Sequence, residues 1–394
     1  MIKILKKIRQ ELLRNLRRLY SRYEAEIKND ILLENVFKKN YPKKVLLSYI
    51  TSPFVKGIDK KHSASLECYT AAQIFDQLGF CVDVVSYMTQ RKNIADKKYD
   101  VVYGFGNILL AEKAKGSVSI VYGTGCSGQF ANHATLLAGQ RFFKNRGILA
   151  LSSLRIPTIG DTSLYFSDLI IPLGNQFVAN TYRIKGGCRN IQSLSAFYFD
   201  CYDIDLTKKD ISSTRRNFVW FGSSGAIHKG LDIILDIFKK RSDLNLFICG
   251  FKKKHEPEFY NFYKKELDNK VDNIKNLGFL DLTSSDFFKL MDQCCACIFP
   301  SVSEGGSPAV LNIMANGGLI PIISESTGID VDPFGFVFKN CSNDDVLESI
   351  EQFLKLSNSE ILERMFLTKE TIRKKHSHEY YQENLKKIIS SIIK

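Results

Sequence analysis

The stretch Ser301-Val-Ser-Glu304-Gly305-Gly306-Ser307-Pro308-Ala-Val-Leu-Asn312-Ile-Met314-Ala315-Asn-Gly317-Gly318 decides the fold. An apolar run, Cys295-Ala-Cys-Ile-Phe-Pro300, precedes it and reads as a buried strand. A second run, Leu319-Ile-Pro-Ile-Ile323, follows the glycine pair and reads as the next strand. Ser307 suits an N-cap and Pro308 the first position of a helix, so the order is strand, glycine-rich loop, helix, strand. Such a loop delivers a helix N-terminus, with free backbone N–H groups, to the carboxyl end of a strand. Open α/β sheets bind ligands there, and a helix N-terminus favours phosphate. Glu304 lies on the loop and Asn312 one to two turns into the helix.

Working outward, Phe218-Val-Trp-Phe221 reads as a strand. The turn Gly222-Ser223-Ser224-Gly225 follows, then His228-Lys229-Gly230 and a helix to about residue 240. A glycine-rich strand-to-helix turn lets backbone approach a phosphate closely, and Lys229 adds a point charge. Further strands are expected at residues 244–250, 271–278 and 295–300, with a last helix over 380–393.

These two stretches together resemble the retaining nucleotide-sugar glycosyltransferases of the GT-B fold, family 4. Their signature is Glu, seven residues, Glu, then a small-Met-Ala-x-Gly tail. Glu304 matches the first acid, and Met314, Ala315 and Gly317 match the tail, while Asn312 replaces the second acid. The resemblance implies that Glu304 contacts donor-sugar hydroxyls and that position 312 holds the ribose, here through a neutral partner. It implies that Lys229-Gly230 binds the donor diphosphate; the family's Arg in this turn is replaced by Ser223 or Ser224. It covers residues 218–392 well and 43–200 more weakly.

The first half alternates strand and helix in the same way. Strands are expected at 44–50, 81–85, 100–103, 118–121, 148–151 and 168–171, with a helix over 63–78 ended by Gly79. A polar stretch over 200–216 reads as a linker. The expected organisation is therefore α/β, GT-B, with two Rossmann-like doubly wound domains facing across a cleft. Residues 31–213 would bind the acceptor and 214–375 the donor, and 376–394 would form a helix that crosses back to the first domain. Two loops of the first domain are singled out. In Phe54-Val-Lys-Gly57-Ile-Asp-Lys-Lys-His62, Gly57 matches by position a family glycine that faces the donor phosphate. The other is Tyr122-Gly-Thr-Gly125-Cys-Ser-Gly-Gln-Phe-Ala-Asn-His133. His62 or His133 would orient acceptor or donor.

Composition agrees with a globular two-domain chain of 394 residues, with no apolar run near the roughly 20 residues that span a bilayer. The N-terminus lacks an uninterrupted apolar core, so no secretory leader is expected. The ten cysteines sit mostly in apolar segments, as reduced thiols of a cytoplasmic protein do. Cys294 and Cys297 have the spacing of a zinc pair, but no second pair follows and a buried strand explains them. Of the net charge of +13, residues 1–28 carry a local +6, from nine Lys/Arg and three Glu. Leu5, Ile8, Leu12, Leu16, Leu19 and Tyr23 recur there at helical spacing, which makes residues 1–30 a basic amphipathic helix. It either lies on an anionic membrane surface or docks on protein, and periodicity does not choose. Exposed aromatics interleaved with the basic residues are lacking, so nucleic acid is not an expected partner.

The mechanism implied by the resemblance is transfer of a sugar from a UDP- or GDP-sugar to a saccharide or lipid-linked acceptor, with retention and without cofactor or metal. Glu304, Lys229 and His133 would act at the reacting centre. Gly57, Gly222, Ser223, Gly305, Gly306, Ser307 and Asn312 would bind the donor. A metal-dependent GT-A transferase would need an Asp-x-Asp at a strand end; Asp203-Ile-Asp205 falls in the linker and Asp330-Val-Asp332 lies past the Glu304 helix, where the resemblance implies a loop, so both read as incidental. The alternatives are a catalytically lapsed GT-B protein serving as a partner subunit, motivated by Asn312 and the missing Arg, and a GT-B sugar epimerase. The setting expected is bacterial surface polysaccharide assembly (O-antigen, capsule or lipopolysaccharide), in the cytoplasm or peripheral on the inner face of the cell membrane.

Overall fold

A computed structural model describes residues 31–59, 62–89, 96–156 and 162–393; the expected N-terminal basic helix lies outside them. Eleven strands form two sheets among the described residues. The first contains β1 (Lys43–Tyr49), β2 (Phe80–Ser86), β3 (Val101–Gly104), β4 (Val118–Gly123) and β5 (Leu169–Pro172), in the order β2-β1-β3-β4-β5. The second contains β6 (Asn217–Phe221), β7 (Asn245–Cys249), β8 (Ile274–Gly278), β9 (Ala296–Phe299), β10 (Ile320–Ser324) and β11 (Phe336–Phe338), in the order β11-β10-β9-β6-β7-β8. The pairings in the second sheet are parallel. Helices connect most successive strands, as the alternating pattern predicts; among the described residues none lies between β2 and β3, and only the 3-10 turn Glu325–Thr327 lies between β10 and β11. Val45, Leu46, Leu47, Phe218, Val219 and Trp220 are buried without alternation, as expected of strands covered on both faces.

Strand order positions the chemistry. From β6 the chain moves outward through β7 and β8, then returns to place β9 on the other side of β6. Connections after β6 and β9 therefore diverge from one switch point, where loops leave room for a ligand. Those two connections are residues 222–230 and 300–307.

The chain folds into two compact units, Met1–Tyr122 with Asp161–Leu169, and Gly123–Gly160 with Ile170–Lys394. This partition differs from a boundary near residue 213: the Gly128–Arg146 helix sits with the second unit. Charged pairs explain the attachment. Arg141 donates to both carboxylate oxygens of the buried Asp232, at 3.1 and 3.0 Å, and Arg146 pairs with Asp236.

Several local expectations are corrected. No strand forms over 148–151. Gly147 ends the preceding helix in the left-handed conformation, Leu149 and Leu151 are exposed, and a 3-10 turn occupies Leu151–Ser153. An apolar run that pairs with nothing does not make a strand. The region expected as a loop after β1 contains the short helix Ser52–Lys56, begun by Pro53 and ended by Gly57 at φ 85. β8 begins at Ile274, with Val271 contributing only an isolated bridge. The last helix begins earlier than expected, at His378, capped by Ser377.

Candidate functional site

The Pro308–Gly317 helix follows β9 and the Ser301–Ser307 loop, with Pro308 at its start and Gly318 closing it in the left-handed conformation. Ser307 stands at the N-cap position, but its side chain makes no capping hydrogen bond. The loop is fixed instead by backbone. The Glu304 N–H donates to the Ser326 carbonyl at 2.9 Å and the Gly306 N–H to the Thr327 carbonyl at 3.1 Å. Ser324 and Ser326 hydroxyls both donate to the Ser301 carbonyl. Gly306 is engaged, so it does not offer an amide to a ligand. Among the described residues the N–H groups of Gly305 and Ser307 have no hydrogen-bond partner. Gly305 is a position of close approach: a β-carbon there would lie 2.7 Å from the Gly125 Cα.

The two sequence signals meet in an ion pair. Lys229 Nζ donates to Glu304 Oε1 at 2.7 Å, and the Ser301 hydroxyl donates to the same oxygen at 3.0 Å. Both charged side chains are nearly inaccessible, and the ammonium lies 5.1 Å from the centre of the Phe299 ring. Burial acts against the Glu304 carboxylate, but Lys229, Arg155 and His228 outweigh it and hold its pKa down at about 2. Burial pulls the Lys229 ammonium down from its usual value, and Glu304 opposes that pull. The pair is charged at neutral pH.

His228, next to Lys229, ties this turn to the Gly128–Arg146 helix. Its Nε2 donates to the Ser303 carbonyl at 2.7 Å, and its Nδ1 accepts from the Thr135 hydroxyl at 2.7 Å. Burial, the leading cause, drops its pKa to about 4, so the ring is neutral and the Nε2–H tautomer fits both contacts. His133 does not join this cluster. It is exposed on the same helix, two residues and therefore about 200° away from Thr135. His62 caps the Ser63–Gln77 helix, its Nδ1 accepting the Ala64 N–H. Gly57 belongs to the first unit, at the end of the Ser52–Lys56 helix.

Residues 222–230 differ from a simple phosphate cradle. The Gly222 N–H donates to the Cys249 carbonyl, and a β-carbon on Gly222 would lie 2.6 Å from the Trp220 ring, so this glycine makes room for the indole. The Gly225 and Ala226 N–H groups donate to the carboxylate of Glu256 at 2.7 and 2.8 Å. Glu256 is wholly buried, and burial pushes its pKa up against those two donors. A carboxylate of the chain itself thus occupies amides that the sequence offered to phosphate. Ser223 is exposed at the tip of the turn.

Asn312 is buried, and its Oδ1 accepts the Phe199 N–H at 2.7 Å. One turn on, Asn316 accepts from the Cys201 and Tyr202 N–H groups and donates to the Phe199 carbonyl. The two asparagines pin the 199–202 segment to the helix, leaving the Asn312 Nδ2 as its remaining donor. Asn316 was not singled out in the sequence, although its i, i+4 spacing from Asn312 was a usable signal. Of the two Asp-x-Asp stretches, Asp203 pairs with Lys369 and Arg373, and Asp330 accepts from Asn175. Among the described residues no group of three or more His, Cys, Asp or Glu is placed to hold a metal ion, and no helix is long and apolar enough to cross a membrane.

Residues 203–366 match the family model described as Glycosyl transferases group 1. No curated protein matches the sequence. Among solved structures, sucrose-phosphate synthase from Thermosynechococcus elongatus is similar over 89% of this chain and 98% of its own, at 11% identity and a TM-score of 0.59. A glycosyltransferase from Rickettsia africae is similar over 90% and 100%, at 12% identity and a TM-score of 0.56. Anabaena HepE, solved with UDP and glucose, is similar over 89% and 100%, at 14% identity and a TM-score of 0.53. Against S. aureus TarM the chain spans 44% of that protein's length, with a TM-score of 0.43. The expected fold is therefore present, two parallel α/β sheets of the GT-B type, and the segment that matches the glycosyl transferases group 1 model contains both Lys229 and Glu304.

Proposed function

We propose that this chain moves a sugar from a UDP- or GDP-sugar to a saccharide or lipid-linked acceptor, with retention at the anomeric carbon and without a metal ion or other cofactor. The observation that carries the reading is the buried Lys229–Glu304 pair beside the unengaged N–H groups of Gly305 and Ser307, at the switch point of the second sheet. Departure of a nucleoside diphosphate builds negative charge on its terminal phosphate. Lys229, which has N–H donors beyond the one given to Glu304, and the two amides stabilise that charge from fixed positions. Glu304 accepts from sugar hydroxyls. Its carboxylate, ionised down to about pH 2, also favours positive charge on the ring as the bond to the leaving group lengthens. No side chain is assigned as a covalent nucleophile.

The reaction proposed belongs to assembly of a bacterial surface glycan on the cytoplasmic face of the membrane, with the basic residues 1–28 held to anionic lipid. Asn312 favours a second reading, a GT-B protein that no longer turns over and serves another transferase as a subunit, because its Oδ1 is engaged by the Phe199 N–H. Incubation with UDP- and GDP-sugars, saccharide and lipid-linked acceptors and excess EDTA tests both. Transfer that survives EDTA and keeps the donor's anomeric configuration by NMR is expected. An inverted product overturns retention, and activity lost to EDTA overturns the metal-free mechanism. Nucleotide binding without any transfer favours the second reading.

A further inference from the structure

The charge in the proposed donor site is unevenly available. Lys229 and Glu304 neutralise one another in a buried pair, and His228 is uncharged. Among the described residues that pair with Glu304, the remaining cation is Arg155, from the segment after the Gly128–Arg146 helix. Its Nη1 lies 4.0 Å from Glu304 Oε1, and its side chain is 52% exposed. Among the described residues its guanidinium makes no hydrogen bond within 3.5 Å.

The position is built. The Ser153 carbonyl accepts the His228 backbone N–H at 3.4 Å, so the Lys229 turn holds the backbone of this segment, and the Thr135 hydroxyl oxygen of the helix lies 3.3 Å from the Arg155 carbonyl. The stem of Arg155 crosses Gly225: a β-carbon there would lie 2.7 Å from both Cγ and Cδ of Arg155. Gly225 thus admits the arginine stem, and the stem aims the guanidinium at the Glu304 loop. The amides of Gly225 and Ala226 are occupied by Glu256, so these two donors are not offered to a phosphate.

Building on the donor reading above, we propose that Arg155 binds a phosphoryl group of the nucleotide donor, closing from outside the turn a site that Lys229 and the Gly305 and Ser307 amides form from within. A planar guanidinium with five donors matches two phosphate oxygens at once, which a lysine cannot do. The same chemistry would suit a phosphate carried by an acceptor, so the test separates the two sources.

Calorimetric binding of UDP, GDP, uridine and guanosine is measured for the wild type, Arg155→Ala, Arg155→Lys and Gly225→Ala, with thermal melts to confirm folding. Arg155→Ala is expected to weaken the preferred nucleoside diphosphate at least tenfold and its nucleoside less than twofold. Arg155→Lys is expected to recover only part of the loss. Gly225→Ala keeps the charge but displaces the stem, and it should weaken the diphosphate in the same direction. Unchanged diphosphate binding by a folded Arg155→Ala protein overturns the proposal. So does an unchanged donor KM with a raised KM for a phosphorylated acceptor, which would assign Arg155 to that acceptor. Failure of the wild type to bind any nucleoside diphosphate is a different result, and it removes the donor reading itself.

Discussion

At the residue scale, Lys229 and Glu304 form a buried ion pair in which each charge favours the other. Replacing Lys229 by Met leaves a buried carboxylate with the Ser301 hydroxyl and the more distant, half-exposed Arg155 beside it. The expected cost is about 3–5 kcal/mol of stability, read from urea unfolding. Lys229→Met combined with Glu304→Gln removes both charges at similar volume and should cost clearly less. Equal losses in the single and double variants would show that the pair is not the coupled unit described. His228 gives a pH signature. Its folded pKa of about 4 lies below the ordinary 6.5, so between those values the unfolded chain binds a proton that the folded chain excludes. Stability from this group is complete above pH 6.5 and falls as pH drops to 4, by about 3 kcal/mol across the window. Glu304 adds a second loss, from its ordinary 4.5 down to about 2. The urea midpoint should fall between pH 7 and 4.5, and His228→Gln should flatten that fall. Lys229 and Glu304 were legible in the sequence because each sits on a loop that follows a strand. Arg155, Thr135 and Glu256 were not, because they reach the site from elements remote in sequence, and no local pattern marks which face of a helix will meet a turn.

At the scale of elements, the Pro308–Gly317 helix has two tasks. Its N-terminal side presents the Glu304 loop, and its Asn312–Asn316 face holds the 199–202 segment. Asn312→Ala strips the Phe199 N–H of its acceptor in a buried setting, and a loss of about 1–3 kcal/mol is expected in the same assay. If Asn312 serves only this anchor, nucleotide affinity at temperatures where the variant stays folded should be unchanged. A tenfold loss would give its Nδ2 a ligand role. Strands and helices were read correctly where apolar runs were bounded by Gly, Pro or Ser, as with β9, β10 and the helix between them. The reading failed at 148–151, where Leu149 and Leu151 are apolar but exposed and Gly147 has already turned the chain. The run looked like a strand because hydrophobicity alone does not say whether a partner strand exists.

At the scale of the whole molecule, the sheet order brings the two sequence signals together. Because β6 and β9 are neighbours although β7 and β8 intervene in sequence, Lys229 and Glu304 meet across 75 residues of chain. Alternation of strand and helix predicts a doubly wound sheet, and the sheet order puts the connections after β6 and β9 side by side. The net charge of +13 belongs at this scale too. Removal of residues 1–28 should reduce co-sedimentation with vesicles containing phosphatidylserine at 0.1 M salt, and unchanged co-sedimentation would remove the membrane part of the proposed setting. The most direct measurement is calorimetric titration of the intact chain with UDP, GDP, ADP and CMP, repeated on the Lys229→Met/Glu304→Gln variant after circular dichroism has confirmed its fold. Saturable binding of UDP or GDP that weakens at least tenfold in the variant is the expected result. Absence of binding by the wild type, or equal affinity in both proteins, would contradict a donor site built on this pair.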